Sequence, residues 1–259
     1  MVFTDWVRQR TAELNICVIF LTRMPLPMPA TIVQGHVSRA LWAAPVVGAV
    51  IGAVGAAVYW LMHFLHVPAF PAAALAVVAT VAATGALHED GLADVADGFG
   101  GGATRERKLE IMRDSRIGTY GVCALVLSFI LRVGVLASLG GPILVATALI
   151  AAHAAGRAPI AAFMHLIPPA RPDGMSAQAG APPRASAIAA GVLGITVLLV
   201  CLGLVAGLAA ALLVACGFAA MAWLCGRQIG GQTGDVLGAL EQLGEVTVLL
   251  VAAVALGAR

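Results

Sequence analysis

His88-Glu-Asp-Gly-Leu-Ala-Asp-Val-Ala-Asp-Gly-Phe-Gly-Gly-Gly-Ala-Thr-Arg-Glu-Arg-Lys-Leu-Glu-Ile-Met-Arg-Asp-Ser-Arg-Ile-Gly-Thr119 is the stretch on which the reading of this chain turns. It holds seven of the 13 acidic residues and five of the 15 basic ones. On either side the sequence is Ala, Val, Leu, Gly and Ile. Hydrophobic residues make up 61% of the chain and charged residues 11%, and mean hydropathy is +0.97. An ordinary soluble domain carries about 25% charge. The composition therefore predicts an all-α, polytopic membrane protein forming one domain over 1–259, in which the polar island 88–119 faces water and carries the chemistry. The alternation of a membrane barrel is absent. A net charge of +2 is too small to suggest nucleic acid as a partner. The five cysteines lie in or beside apolar runs without a CxxC pair and read as buried small hydrophobes.

Outward from the island, apolar runs long enough to cross a bilayer mark about six to seven transmembrane helices. Residues 1–40 read as an N-terminal interfacial segment, because Asp5 and Glu13 interrupt it and a proline-rich turn ends at Pro27. The spans are expected at 41–65, 70–87, 120–139 and 143–164. The run 186–223 is too long for one span and splits near Gly203–Gly207. A second polar loop is expected over 226–245, and 246–258 is a short last run that spans only if it begins within 233–245. Gly48, Gly52 and Gly55 suit close packing in lipid, and Tyr59 and Trp60 suit an interfacial belt. His63, His66, His36 and His165 read as interfacial. This count puts twelve of the fifteen bases on the side of the island, and the positive-inside rule makes that side cytoplasmic. The expected location is the cytoplasmic (inner) membrane, with a polar cytoplasmic catalytic loop.

Asp90, Asp94 and Asp97 stand at i, i+4 and i+7, which on a helix puts three carboxylates on one face within about 10 Å along the axis. Carboxylates so arranged repel unless a cation sits among them. Oxygen ligands suit a hard ion, and Mg²⁺ is bound by one or two carboxylates together with substrate phosphates. Glu110 and Asp114 repeat the i, i+4 spacing, and Arg113 and Arg116 can clamp phosphate oxygens. The run Arg105–Lys108 reads as a solvated face.

Two long blocks, His88-Glu-Asp-Gly-Leu-Ala-Asp-Val-Ala-Asp-Gly98 and Leu109-Glu-Ile-Met-Arg-Asp-Ser-Arg-Ile-Gly-Thr-Tyr-Gly121, closely resemble the signature of the cobalamin synthase family, the adenosylcobinamide-GDP ribazoletransferases. The resemblance extends to Thr22–Pro25, Ala170–Gly174 and Gly230–Ala239, so it covers most of the chain. Glu89 departs from the apolar residue of many members. The resemblance implies an Mg²⁺-dependent enzyme of the cytoplasmic membrane. α-Ribazole or its 5′-phosphate attacks the corrin-side phosphorus of adenosylcobinamide-GDP, GMP leaves, and adenosylcobalamin or its phosphate forms. Such a step needs charge neutralisation on the transferred and leaving phosphates. The roles expected are Asp90, Asp94 and Asp97 on the metal, with one of them as base; Asp114 as a further ligand or base; and Arg113 and Arg116 on phosphates. Thr233 and Asp235 close the site, and His88 adjoins it.

Arg132 and Arg157 interrupt spans, and a charge there faces protein or a wet cavity. A buried structural contact is the expectation for Arg132. For Arg157, with His153 one turn earlier, contact with an anionic substrate and a structural contact stand level. The Asp90-Gly-Leu-Ala93 opening also suggests a CDP-alcohol-phosphotransferase-like enzyme, although the residues from Asp94 onward depart from the pattern of those enzymes. A transporter is the alternative from another class; it predicts an internal repeat, which is absent, and charges within the spans. The partners expected are the two substrates and the bilayer. The glycine-rich spans permit a homo-oligomer, and anchoring would keep a scarce intermediate near other cobalamin-assembly enzymes.

Overall fold

A computed structural model of the chain describes residues 2–26 and 35–257, which are all-α with no strand among them. Helix α1 is Val2–Leu21; the residues from Pro27 to 34, where the proline-rich turn was expected to end, lie outside the described set. Then come α2 (His36–Ala40), a 3-10 turn (Leu41–Ala43), α3 (Ala44–Phe64), α4 (Ala69–Thr84), α5 (Leu87–Gly101) and α6 (Arg105–Ile111). The chain continues through α7 (Thr119–Leu139), α8 (Pro142–Arg157), α9 (Pro159–Leu166), α10 (Met175–Ala179), α11 (Arg184–Ile229) and α12 (Gly234–Gly257). Five stretches of the described residues are long and apolar enough to cross a membrane, and α4 with α5 makes a sixth if that bent pair is one crossing. Helix α1 is not among them. It is clipped to the 3-10 turn before α3 by Glu13, which pairs with Arg10 at 2.7 Å and accepts from the Trp42 indole at 2.8 Å.

The expected split of the 186–223 run is present. Helix α11 has 46 residues and breaks at Gly203, whose φ of 77° and ψ of 175° suit only glycine. Beyond the break the chain doubles back: a Cβ on Gly207 would lie 2.9 Å from the Leu198 carbonyl oxygen. The two arms therefore lie side by side, each long enough for a crossing. Small residues set the packing of α3 on α8 as expected, since a Cβ on Gly52 would stand 2.5 Å from the Leu149 carbonyl oxygen.

Four expectations are corrected. Residues 226–245 are not a loop: α11 runs to Ile229, α12 starts at Gly234, and 230–233 alone connects them. Glu241 and Glu245 mimic loop chemistry in the sequence because each is neutralised by a partner on another helix. The island 88–119 is not one water-facing loop either. It folds into α5 and α6, and α5 packs between α7 and α12 with His88, Glu89 and Asp97 buried. Tyr59 is 1% exposed within the core, leaving Trp60, stacked on Phe64 at 5.9 Å, as the exposed aromatic of that turn. Of the cysteines, Cys17 and Cys225 are buried, whereas Cys123 and Cys216 lie on the outer surface.

Candidate active site

Helix α5 leaves the direction of α4 by 90° through a corner at Gly85 and Ala86, both in the left-handed region. It presents one acidic face. Asp90 is exposed and Asp94 half-buried. Between them Gly91 turns toward α12, where a Cβ would stand 2.7 Å from the Asp235 carbonyl oxygen. That approach brings the first turn of α12 against the acidic face. Thr233 fixes the turn: its hydroxyl accepts from Val236 N–H at 3.3 Å and donates to the Asp235 carboxylate at 3.1 Å. Asp90 and Asp235 both line one cavity of about 90 Å³, whose other walls include His88 and the apolar side chains of Phe20, Met164 and Met175.

The electrostatics follow from the crowding. Burial, then the nearby carboxylates of Asp90, Asp235 and Asp97, push Asp94 up to about 7, while Arg171 acts in the opposite sense. Carboxylates from two helices are oxygen donors of the kind a hard divalent cation takes. Asp90 and Asp235 share the cavity wall and Asp94 feels both charges, so the donor chemistry fits such an ion, while the three-ligand cluster already gathered among the described residues is His153, Glu241 and Glu245. Asp97 is anchored differently. It is buried, and its two oxygens accept from Gly118 N–H at 2.7 Å and Gly121 N–H at 2.9 Å, which caps the start of α7. The glycines at 118 and 121 leave room for it, because a Cβ on either would strike the carboxylate.

The segment after α9 reaches the same place. Ala170 N–H donates to the Gln232 carbonyl at 2.7 Å, and Gln232 N–H to the Pro168 carbonyl at 2.9 Å. Gly231 permits this contact, since a Cβ there would strike the Pro168 carbonyl. Arg105, expected to be solvated, instead donates to the Ala170 carbonyl at 2.9 Å and pins the segment from the other side. The result sets Arg171 beside Asp235 at 3.7 Å. Sequence reasoning assigned no role to Arg171, although its block, Ala170–Gly174, stood out.

Other expected residues are engaged elsewhere. Asp114 is held by Arg116 at 2.6 Å, and Arg113 reaches Asp173 at 2.6 Å; Asp114 is partly and the other three side chains largely open to solvent, and none lines the cavity. The Arg116 hydrogen bonds hold the Asp114 carboxyl down at about 2. Of the two readings that stood level for Arg157, the structure has the internal contact. Arg157 is 1% exposed, pairs with Glu241 at 2.5 Å and donates to the His153 carbonyl at 3.0 Å. His88 stands between it and the cavity, 3.4 Å from the guanidinium.

Arg157 belongs to a buried network beneath the site that the sequence did not disclose. Arg132 donates to Glu89 at 2.8 Å and is ion-paired with Glu245 at 2.7 Å, and His153 lies 3.1 Å from Glu245. Gln242 donates to Glu241 at 3.0 Å. This gives Glu89 a function that an apolar residue could not supply. Charges within spans are thus present, as a transporter would have them, but arginine and glutamate oppose each other in pairs. Three of these groups, His153, Glu241 and Glu245, lie close enough for a metal ion. The two guanidiniums already supply the positive charge there.

Residues 13–253 match the family model described as cobalamin-5-phosphate synthase. A protein of Bradyrhizobium diazoefficiens named adenosylcobinamide-GDP ribazoletransferase is 54% identical over 96% of this chain and 96% of its own length. One of the same name from Mesorhizobium japonicum is 54% identical, covering 96% and 95%, and one from Azorhizobium caulinodans is 47% identical, covering 92% and 94%. No solved structure matches the chain. With similarity over nearly its full length, and with its acidic, Ala170–Gly174 and Gly230–Ala239 blocks meeting at one site, this chain belongs to the cobalamin-5-phosphate synthase family.

Proposed function

We propose that this membrane transferase joins α-ribazole, or its 5′-phosphate, to the cobinamide phosphate of adenosylcobinamide-GDP. A ribazole hydroxyl oxygen forms the new bond to the corrin-side phosphorus. The phosphoanhydride bond to the second phosphorus breaks, GMP leaves with that bond's electrons, and the hydroxyl proton passes to the carboxylate cluster. The observation that carries this reading is that Asp90 on α5 and Asp235 on α12 line one cavity, with Asp94 on the same face of α5 under the influence of both charges, in a chain of this family. These three residues would hold Mg²⁺, which when bound supplies charge neutralisation to the phosphates. Thr233 orients Asp235 through its hydroxyl, and Asp97 fixes α5 to α7 by capping it. His88 lines the cavity and screens Arg157 from it.

The orientation follows from charge. Arg23, Arg39, Arg105, Arg107, Lys108, Arg113, Arg116, Arg171, Arg184 and Arg227 all lie at the end of the bundle that carries the acids, which supports a site facing the cytoplasm from the inner membrane. The test uses the purified protein in liposomes with adenosylcobinamide-GDP and α-ribazole phosphate, with and without Mg²⁺. Stoichiometric GMP and corrinoid product that require Mg²⁺ are expected. Folded, monodisperse protein that turns over neither α-ribazole nor its phosphate would overturn the reading.

A further inference from the structure

Arg171 is the guanidinium at the acidic cluster, ion-paired with Asp235 at a stretched distance and without a hydrogen bond to it. Its guanidinium lies 3.7 Å from the Asp235 carboxylate, beyond hydrogen-bonding range, and its Nε and Nη1 are buried without a partner. The side chain as a whole is 16% exposed. A guanidinium stays protonated at any pH the protein meets, and leaving its donors unpaired in a buried place is costly. The other arginines of this end either point to water or hold a carboxylate or a carbonyl: Arg113 has Asp173, Arg116 has Asp114, and Arg105 has the Ala170 carbonyl. Arg171 is also held in position. Ala170 before it is bonded to Gln232, and Gly174 after it sits so close that a Cβ would lie 3.3 Å from Nε. A guanidinium is a planar set of N–H donors of the kind that takes phosphate oxygens.

We propose that Arg171 is a substrate-contacting residue that takes non-bridging oxygens of the diphosphate in a nucleoside-diphosphate-linked donor, beside the carboxylates of Asp90, Asp94 and Asp235. This rests on the transferase reading above and adds to it the residue that grips the diphosphate. The acids alone would repel such a donor. A cation among them and a guanidinium at their edge together present the positive charge that it needs.

The test compares wild type, Arg171→Lys and Arg171→Gln in liposomes, each first shown to keep its thermal midpoint. KM for adenosylcobinamide-GDP and KM for α-ribazole phosphate are measured separately, together with equilibrium binding of GDP in Mg²⁺. For Arg171→Gln the expectation is a rise of tenfold or more in KM for the diphosphate donor and a matching loss of GDP affinity, with KM for the acceptor unchanged. Arg171→Lys, which keeps the charge but loses the planar donor set, should recover only part of it. Equal rises in both KM values, or GDP binding unchanged in Arg171→Gln, would overturn the assignment. If Arg171→Gln alone loses its fold, the Arg171→Lys comparison decides between the same two outcomes. Wild type inactive toward both substrates would instead refute the transferase reading, so the two failures are distinct.

Discussion

Replacing Glu241 by methionine should cost far more than its single ion pair suggests, and replacing Arg157 as well should restore much of the loss. Glu241 is fully buried, 2.5 Å from Arg157, and it also accepts from Gln242 at 3.0 Å. Opposite charges about 4 Å apart at an effective dielectric of about 20 attract by about 4 kcal/mol. Removing one member of a buried pair leaves the other uncompensated and typically costs about 3–5 kcal/mol. Glu241→Met and Arg157→Met are each expected to lose about that much. The double variant, of similar volume and without either charge, should fall short of the summed loss by at least about 2 kcal/mol. Reversible unfolding in mixed micelles across the four proteins gives the coupling directly. Losses that add, or single variants that cost less than about 1 kcal/mol, would refute the idea that these span charges exist to satisfy each other.

Two further outcomes follow from the site. Asp97→Ala removes the acceptor for two backbone N–H groups at the start of α7, and loss of such a cap costs about 1–2 kcal/mol; unfolding of that variant should show a loss of this size. Asp94 is raised above its ordinary value by burial and by its acidic neighbours, so the folded protein binds this proton more tightly than the unfolded chain does. Without divalent cations, stability should therefore fall as pH rises from about 4 to about 7 and then level off. Asp94→Asn should raise the thermal midpoint at pH 8, with a smaller gain at pH 5.

Much of this architecture was legible because lipid imposes simple rules. The spans at 41–65 and 120–139 coincide with α3 and α7 to within a few residues, and the break at Gly203 fell where the apolar run was too long. The acidic face of α5 was visible in its spacing, and Asp235 in its family block. What stayed hidden depends on partners distant in sequence. Glu89 meets Arg132 43 residues away, and Asp97 meets backbone N–H groups 21 and 24 residues away. Glu241 and Glu245 looked like loop residues because local hydropathy has no means of recording a compensating charge on another helix. Arg171 depends on a backbone contact between 168–170 and 232, two loops with no shared periodicity.

The central claim is that carboxylates from α5 and α12 form one divalent-cation site. Mn²⁺ binding to the purified protein in liposomes, followed by electron paramagnetic resonance with Mg²⁺ as competitor, tests it most directly. Saturable Mn²⁺ binding displaced by Mg²⁺, weakened at least tenfold in Asp90→Asn, Asp94→Asn and Asp235→Asn and kept in Asp114→Asn, is the predicted result. Binding that survives unchanged in Asp94→Asn and Asp235→Asn, in protein that remains folded, would contradict the account.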